Sequence, residues 1–109
     1  MRIAIPINEN KGKDSVIPEH FGHVREVAVY DSEKDDLEIV NVINSSGCSP
    51  VEAIKDKDLD AIFCHGMGMR AMALCKEMKI DLKTGPFTTI KEIIKNIDKL
   101  DNLDESCGH

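Results

Sequence analysis

Two histidines, a cysteine and one glycine-rich turn are the residues of this chain whose types and neighbours suit chemistry. His20 stands in His20-Phe21-Gly22, and an imidazole there can ligate iron, copper or another transition metal, or donate to a sulfide. The plain alternative is a loop histidine bonded to backbone, with Phe21 plugging the core. Cys48 lies between Gly47 and Ser49 at the start of a predicted helix, where a helix N-terminus lowers a thiol's pKa; it can equally be a small residue in a turn. Gly66-Met67-Gly68-Met69-Arg70 joins an apolar run to a helical pattern. Backbone N–H groups and the helix dipole at such a junction favour an anion, and Gly66 and Gly68 let the backbone approach it. Arg70 adds a fixed positive fork. Otherwise the glycines merely permit a tight turn and Arg70 faces solvent. His65 precedes the turn. Cys64 and Cys75 fall on apolar patterns and read as small hydrophobes, while Cys107-Gly108-His109 reads as incidental to a polar end.

The bulk composition narrows what these residues can serve. A chain of 109 residues supports one core, so a single domain is expected over residues 1–100, with residues 101–109 a flexible polar tail. Fourteen Lys and Arg against 20 Asp and Glu give a net charge of −6, and aromatics make up 4% without Trp. Such a chain has neither the basic field nor the stacking platforms of a nucleic-acid binder. Apolar runs are too short for a membrane helix, and no signal segment opens the sequence, so a cytoplasmic protein is expected. The four cysteines form no Cys-x-x-Cys pair, which removes zinc-knuckle and thioredoxin motifs and leaves thiols.

The elements that must position these residues follow from periodicity. Arg2 to Ile7 is a short apolar run suited to a strand buried on both faces, with Pro6 near its end. Asn8 to His23 is a long loop, of the kind that is often functional. Val24–Asp31 and Leu37–Asn44 form a hairpin around the charged residues 32–36. Ser49-Pro50-Val51-Glu52 is a capping box that starts a helix ending near Lys57. Asp60–His65 is a fourth strand, followed by a helix with Ala71, Leu74, Cys75 and Met78 on one stripe, and Ile80–Lys83 is a fifth strand. Thr89-Ile90-Lys91-Glu92 caps a last helix whose stripe is Ile90, Ile93, Ile94, Ile97 and Leu100. If strands one and four are parallel neighbours, the result is a mixed five-stranded sheet in the order 3-2-1-4-5 with about three helices. Its carboxyl edge would gather Asn8–His23, Asn44–Cys48, His65–Arg70 and Thr84–Thr88, where open α/β sheets bind ligands.

Three separated segments resemble the dinitrogenase iron-molybdenum cofactor biosynthesis family. They are Ile3-Ala4-Ile5-Pro6 with Asn8, Gly12, Ser15 and His20-Phe21-Gly22; Cys64 through Ala71; and Gly85 with Thr89-Ile90-Lys91-Glu92-Ile93. The family includes nitrogenase cofactor carriers and chaperones and the orange protein. The resemblance implies a ribonuclease H-like fold and a carrier of an anionic iron-sulfur or iron-molybdenum-sulfur cluster, acting with cluster-assembly proteins and not as an enzyme. It implies a cofactor-binding role for His20; the reading of the rim adds Asn8, Phe21, Gly22, His65, Gly66, Gly68 and Arg70 as cofactor-binding candidates, and His20 and Cys48 are the candidate metal ligands. Lys79 departs from the pattern, since relatives commonly place glycine there. Two other functions compete. A nuclease would need carboxylates along the central strands, which the first strand lacks. A protein-interaction module would use the same glycines and histidine structurally.

Overall fold

The structure, a computed structural model, describes residues 1–8, 11–18, 26–41, 58–66 and 69–103. Within them run β1 (Arg2–Ile7), β2 (Glu26–Asp31), β3 (Asp36–Asn41), β4 (Ala61–Phe63), α1 (Met69–Glu77), β5 (Asp81–Thr84), α2 (Ile90–Lys95), a 3-10 turn (Ile97–Lys99) and β6 (Asp101–Asn102). One mixed sheet collects all the strands in the order β3-β2-β1-β4-β5-β6. β1 pairs with β2 antiparallel and with β4 parallel, so the chain direction reverses about the central strand. β4 and β5 are parallel, whereas β2–β3 and β5–β6 are antiparallel.

Strand alternation sorts the core onto the two faces of the sheet. Ile3, Ile5 and Ile7 of β1 join Phe63, Ile90 and Ile93 on one face, under α2. Ala4, Ile62 and Cys64 meet Met72, Cys75 and Leu82 on the other, under α1. β1 is buried from Ile3 to Ile7, as its apolar run requires, and Pro6 is the next-to-last residue of the strand. The apolar stripe of α1 centres on the buried Met72 and Cys75, flanked by Ala71, Leu74 and Met78. That of α2 continues past Asn96 into the 3-10 turn, so Ile97 and Leu100 still reach the core although the α-helix itself has ended. Thr89 caps α2 as expected, its hydroxyl accepting the Glu92 N–H at 3.4 Å.

One expectation is corrected. Among the described residues the sheet has six strands, not five, because residues 101 and 102 form an edge strand. Asp101 and Asn102 pair with Thr84 and Lys83, the Leu103 N–H donates to the Leu82 carbonyl at 3.0 Å, and the Leu103 side chain packs on the core. An antiparallel edge strand needs backbone groups and one apolar anchor, so polarity of its side chains does not forbid it. The helix expected to start at Ser49 lies outside the described residues, which contain two α-helices.

Candidate functional site

The carboxyl ends of β1, β4 and β5 form one edge, and the pairing of Ile7 with Glu26 and of Glu26 with Asn41 brings the start of β2 and the end of β3 to it. Asn8, His65 and Gly66 follow directly from the strands that end there, and Arg70 lies in the first turn of α1 just beyond. The structure thus brings four of the expected residues to one rim. His20, Phe21, Gly22, Cys48 and Gly68 lie outside the described residues, as does Met67.

Within the rim, the four do not stand on one side. His65 leans onto the α2 face, its ring meeting the fully buried Phe63 edge-on with centroids 5.5 Å apart. Phe63 in turn lies 6.3 Å from Phe87, so His65 borders an aromatic wall. Arg70 rises exposed from the helix that covers the opposite face, while Gly66 is buried between the two. His65 thus stands on the α2 side of the sheet, and Arg70 on the helix that covers the other side.

The start of α1 is electrostatically unusual. Its first turn holds no acidic residue and does hold Arg70, although a positive charge near a helix N-terminus costs roughly 0.3–1 kcal/mol. Local helix stability is thus traded for positive potential at the rim. Met69, 68% exposed, adds a soft thioether beside it. Among the described residues, no three His, Cys, Asp or Glu side chains are grouped as a metal site.

The described half of the β1–β2 loop has a structural duty that its length did not announce. The Asn8 N–H donates to the Val16 carbonyl at 3.0 Å, and Ile17 donates to the Thr88 carbonyl at 2.9 Å. The carbonyls of Ser15 and Lys13 accept the N–H groups of Ile90 and Lys91 in the first turn of α2. Ser15 is fully buried, its hydroxyl accepting the Lys11 N–H at 2.8 Å and donating to the Gly12 carbonyl at 2.7 Å. Gly12, at a φ of +63°, occupies the left-handed region that this tight loop needs. So Gly12 and Ser15 hold the loop against α2, leaving Asn8 at the rim.

Sequence reasoning missed the aromatic wall and Met69. The run Gly85-Pro86-Phe87 carried the signal for the first: a Cβ at position 85 would stand 2.8 Å from the Phe87 ring, so glycine there lets the ring fold back toward Phe63. Met67 and Met69 astride Gly68 carried the signal for the second.

This sheet order is that of a small mixed α/β fold, and the family can be given more closely. The chain belongs to the dinitrogenase iron-molybdenum cofactor family, which matches residues 1–100. Among solved structures it is similar to PH0822, with 30% identity, a TM-score of 0.80, and coverage of 94% of this chain and 96% of that one. The apo form of the orange protein from Desulfovibrio gigas has the same fold at 15% identity and a TM-score of 0.79, covering 94% of this chain and 92% of the other. An uncharacterised protein of Methanocaldococcus jannaschii, MJ0580, is 24% identical over 103 residues, which is 87% of this chain and 83% of that protein.

Proposed function

We propose that this protein binds and carries an anionic metal-sulfur cluster, of the iron-sulfur or iron-molybdenum-sulfur kind, during cofactor assembly or trafficking, and that it is not an enzyme. The observation that carries the reading is membership, over residues 1–100, of the dinitrogenase iron-molybdenum cofactor family. The rim supports it. A sulfide-rich cluster carries negative charge, which suits Arg70 in an acid-free helix start and the backbone donors expected of Gly66 to Gly68. His65, Asn8 and Met69 stand at the same edge as further partners. Direct metal bonds are proposed for His20, on the family resemblance, and for Cys48, ahead of an expected helix start, with Phe21 and Gly22 beside His20. Cluster-assembly proteins are the partners this role requires.

The ribonuclease H-like reading of the sheet is kept as part of the proposal, without its nuclease chemistry. β1 has no carboxylate, and the carboxylate next to β4, Asp60, accepts the Arg2 N–H at 2.9 Å on the amino side of the sheet.

Anaerobic reconstitution with iron, sulfide and molybdate, followed by desalting, metal analysis and absorption spectra, tests the carrier role. We expect retained metal with a visible band, lost in His20→Ala and Cys48→Ser with the thermal midpoint nearly unchanged. Arg70→Ala should weaken retention by about tenfold to a hundredfold, equivalent to about 1.5–3 kcal/mol for one charge-assisted hydrogen bond. Absence of iron and molybdenum after desalting of the folded wild-type protein would leave the interaction-module reading in its place.

A further inference from the structure

We propose that the hollow between the β1–β2 loop and α2 is an electrostatic docking surface for an acidic patch on a partner protein. Lys13, Asp14, Lys91, Ile94 and Lys95 line a depression of about 390 Å³. Two features of the fold assemble it. Lys91 and Lys95 are one helical turn apart on α2, with Ile94 on the same side, and the bond from the Lys91 N–H to the Lys13 carbonyl, 2.9 Å, sets the loop lysine beside them.

Lysines outnumber acids around the hollow three to one among the described residues. Among the described residues, no carboxylate forms an ion pair with Lys13, Lys91 or Lys95. Asp14 is the single acid lining the hollow, and the nearby Glu92 carboxylate instead accepts the hydroxyls of Thr88 and Thr89 at 3.0 and 3.2 Å. Like charges at this spacing repel one another. In a chain with 20 acidic residues against 14 basic ones, three lysines to one aspartate around a hollow, as the described residues have it, run against the sign of the whole chain.

The donor inventory favours a protein over a small anion. A phosphate-sized ligand is recognised by fixed backbone N–H groups, yet those of Ile90 and Lys91 are already given to the Ser15 and Lys13 carbonyls, and that of Glu92 to the Thr89 hydroxyl. What remains is a set of exposed ammonium groups on flexible stems around one half-buried isoleucine. Mobile point charges of this kind match several carboxylates spread over another protein's surface, which steer encounter and fix orientation. None of these residues belongs to the proposed cluster site, so the two readings stand or fall separately.

Fluorescence anisotropy with a labelled peptide rich in Asp and Glu tests the surface, using a Ser- and Gln-rich peptide as control. We expect binding at low ionic strength that weakens with salt, with amide shifts centred on Lys13, Lys91 and Lys95. Lys13→Glu, Lys91→Glu and Lys95→Glu together should lose roughly tenfold or more in affinity. The charge-matched set Lys34→Glu, Lys76→Glu and Lys79→Glu, in the hairpin turn and at the end of α1 on the other face of the sheet, should change it by no more than about twofold. Replacing Lys13, Lys91 and Lys95 by Gln gives a milder set, should the reversed charges unfold the protein. Equal losses in both sets would reduce the effect to net charge and overturn the proposal. So would saturation of the same amides by inorganic phosphate without peptide binding, which would make the hollow a small-anion site.

Discussion

Asp31, at the turn of the hairpin, is the residue whose environment most clearly sets its ionisation. Burial raises its pKa, but the N–H groups of Lys34 and Glu33, the Arg2 guanidinium 3.3 Å away and the charge of Lys34 outweigh that and hold it below the usual carboxylate value. A depressed carboxyl contributes stability above the unfolded pKa of about 3.9, which is lost as pH falls through the folded value. Asp31→Asn should therefore be less stable at neutral pH and lose less on acidification. Urea midpoints measured from neutral to acid pH check this, and parallel curves for the two proteins would contradict it. Residue types told where chemistry could occur, as with His65 and Arg70, because ligation and charge are properties of side chains. They did not tell that Ser15 is a buried brace or that His65 meets Phe63, since such contacts depend on which loop folds against which face.

At the scale of the element, α1 ends in a left-handed cap built on Lys79. The Ile80 N–H reaches back to the Cys75 carbonyl at 2.9 Å, the Lys79 N–H donates to the Lys76 carbonyl, and Lys79 has a φ of +59°. Glycine is favoured at such a position because it has no Cβ to clash. Lys79→Gly should raise stability by about 0.5 kcal/mol, the relief of left-handed strain being partly offset by a freer unfolded chain. Cluster retention should not change, because this cap lies on the amino side of β5. Chemical denaturation of both proteins measures the difference, and a less stable glycine variant would refute the strain assignment. The elements themselves were legible: β1 through β5, both described helices and the Thr89 cap follow from period and capping signals. β6 was not, because two polar residues have no periodicity, and their place depends on the Leu103 anchor.

The whole molecule determines when its buried thiols can react. Cys64 and Cys75 are fully buried beneath α1, and burial pushes the Cys75 thiol up to about 11. With Cys48 and Cys107 replaced by serine, the native protein should react with a thiol reagent only as fast as it opens, and urea should speed labelling in step with unfolding. Rapid labelling of the native state would mean that α1 lifts from the sheet by itself. The same shift predicts a stability contribution present below the unfolded thiol pKa of about 8.5 and lost as pH rises toward the folded value. The sheet order was legible from the hairpin and the two parallel crossovers, but the rim could be outlined only as a set of converging segments. The central place of β1 has a further consequence, for synthesis. It is made before the other strands of the sheet, and β2 and β3 can complete one side of it early, but its parallel partner is joined through Ile3 to Ala61. Until that distant segment is made, the hydrogen-bonding edge at the heart of the sheet stays open, so closure of the sheet awaits the synthesis of β4.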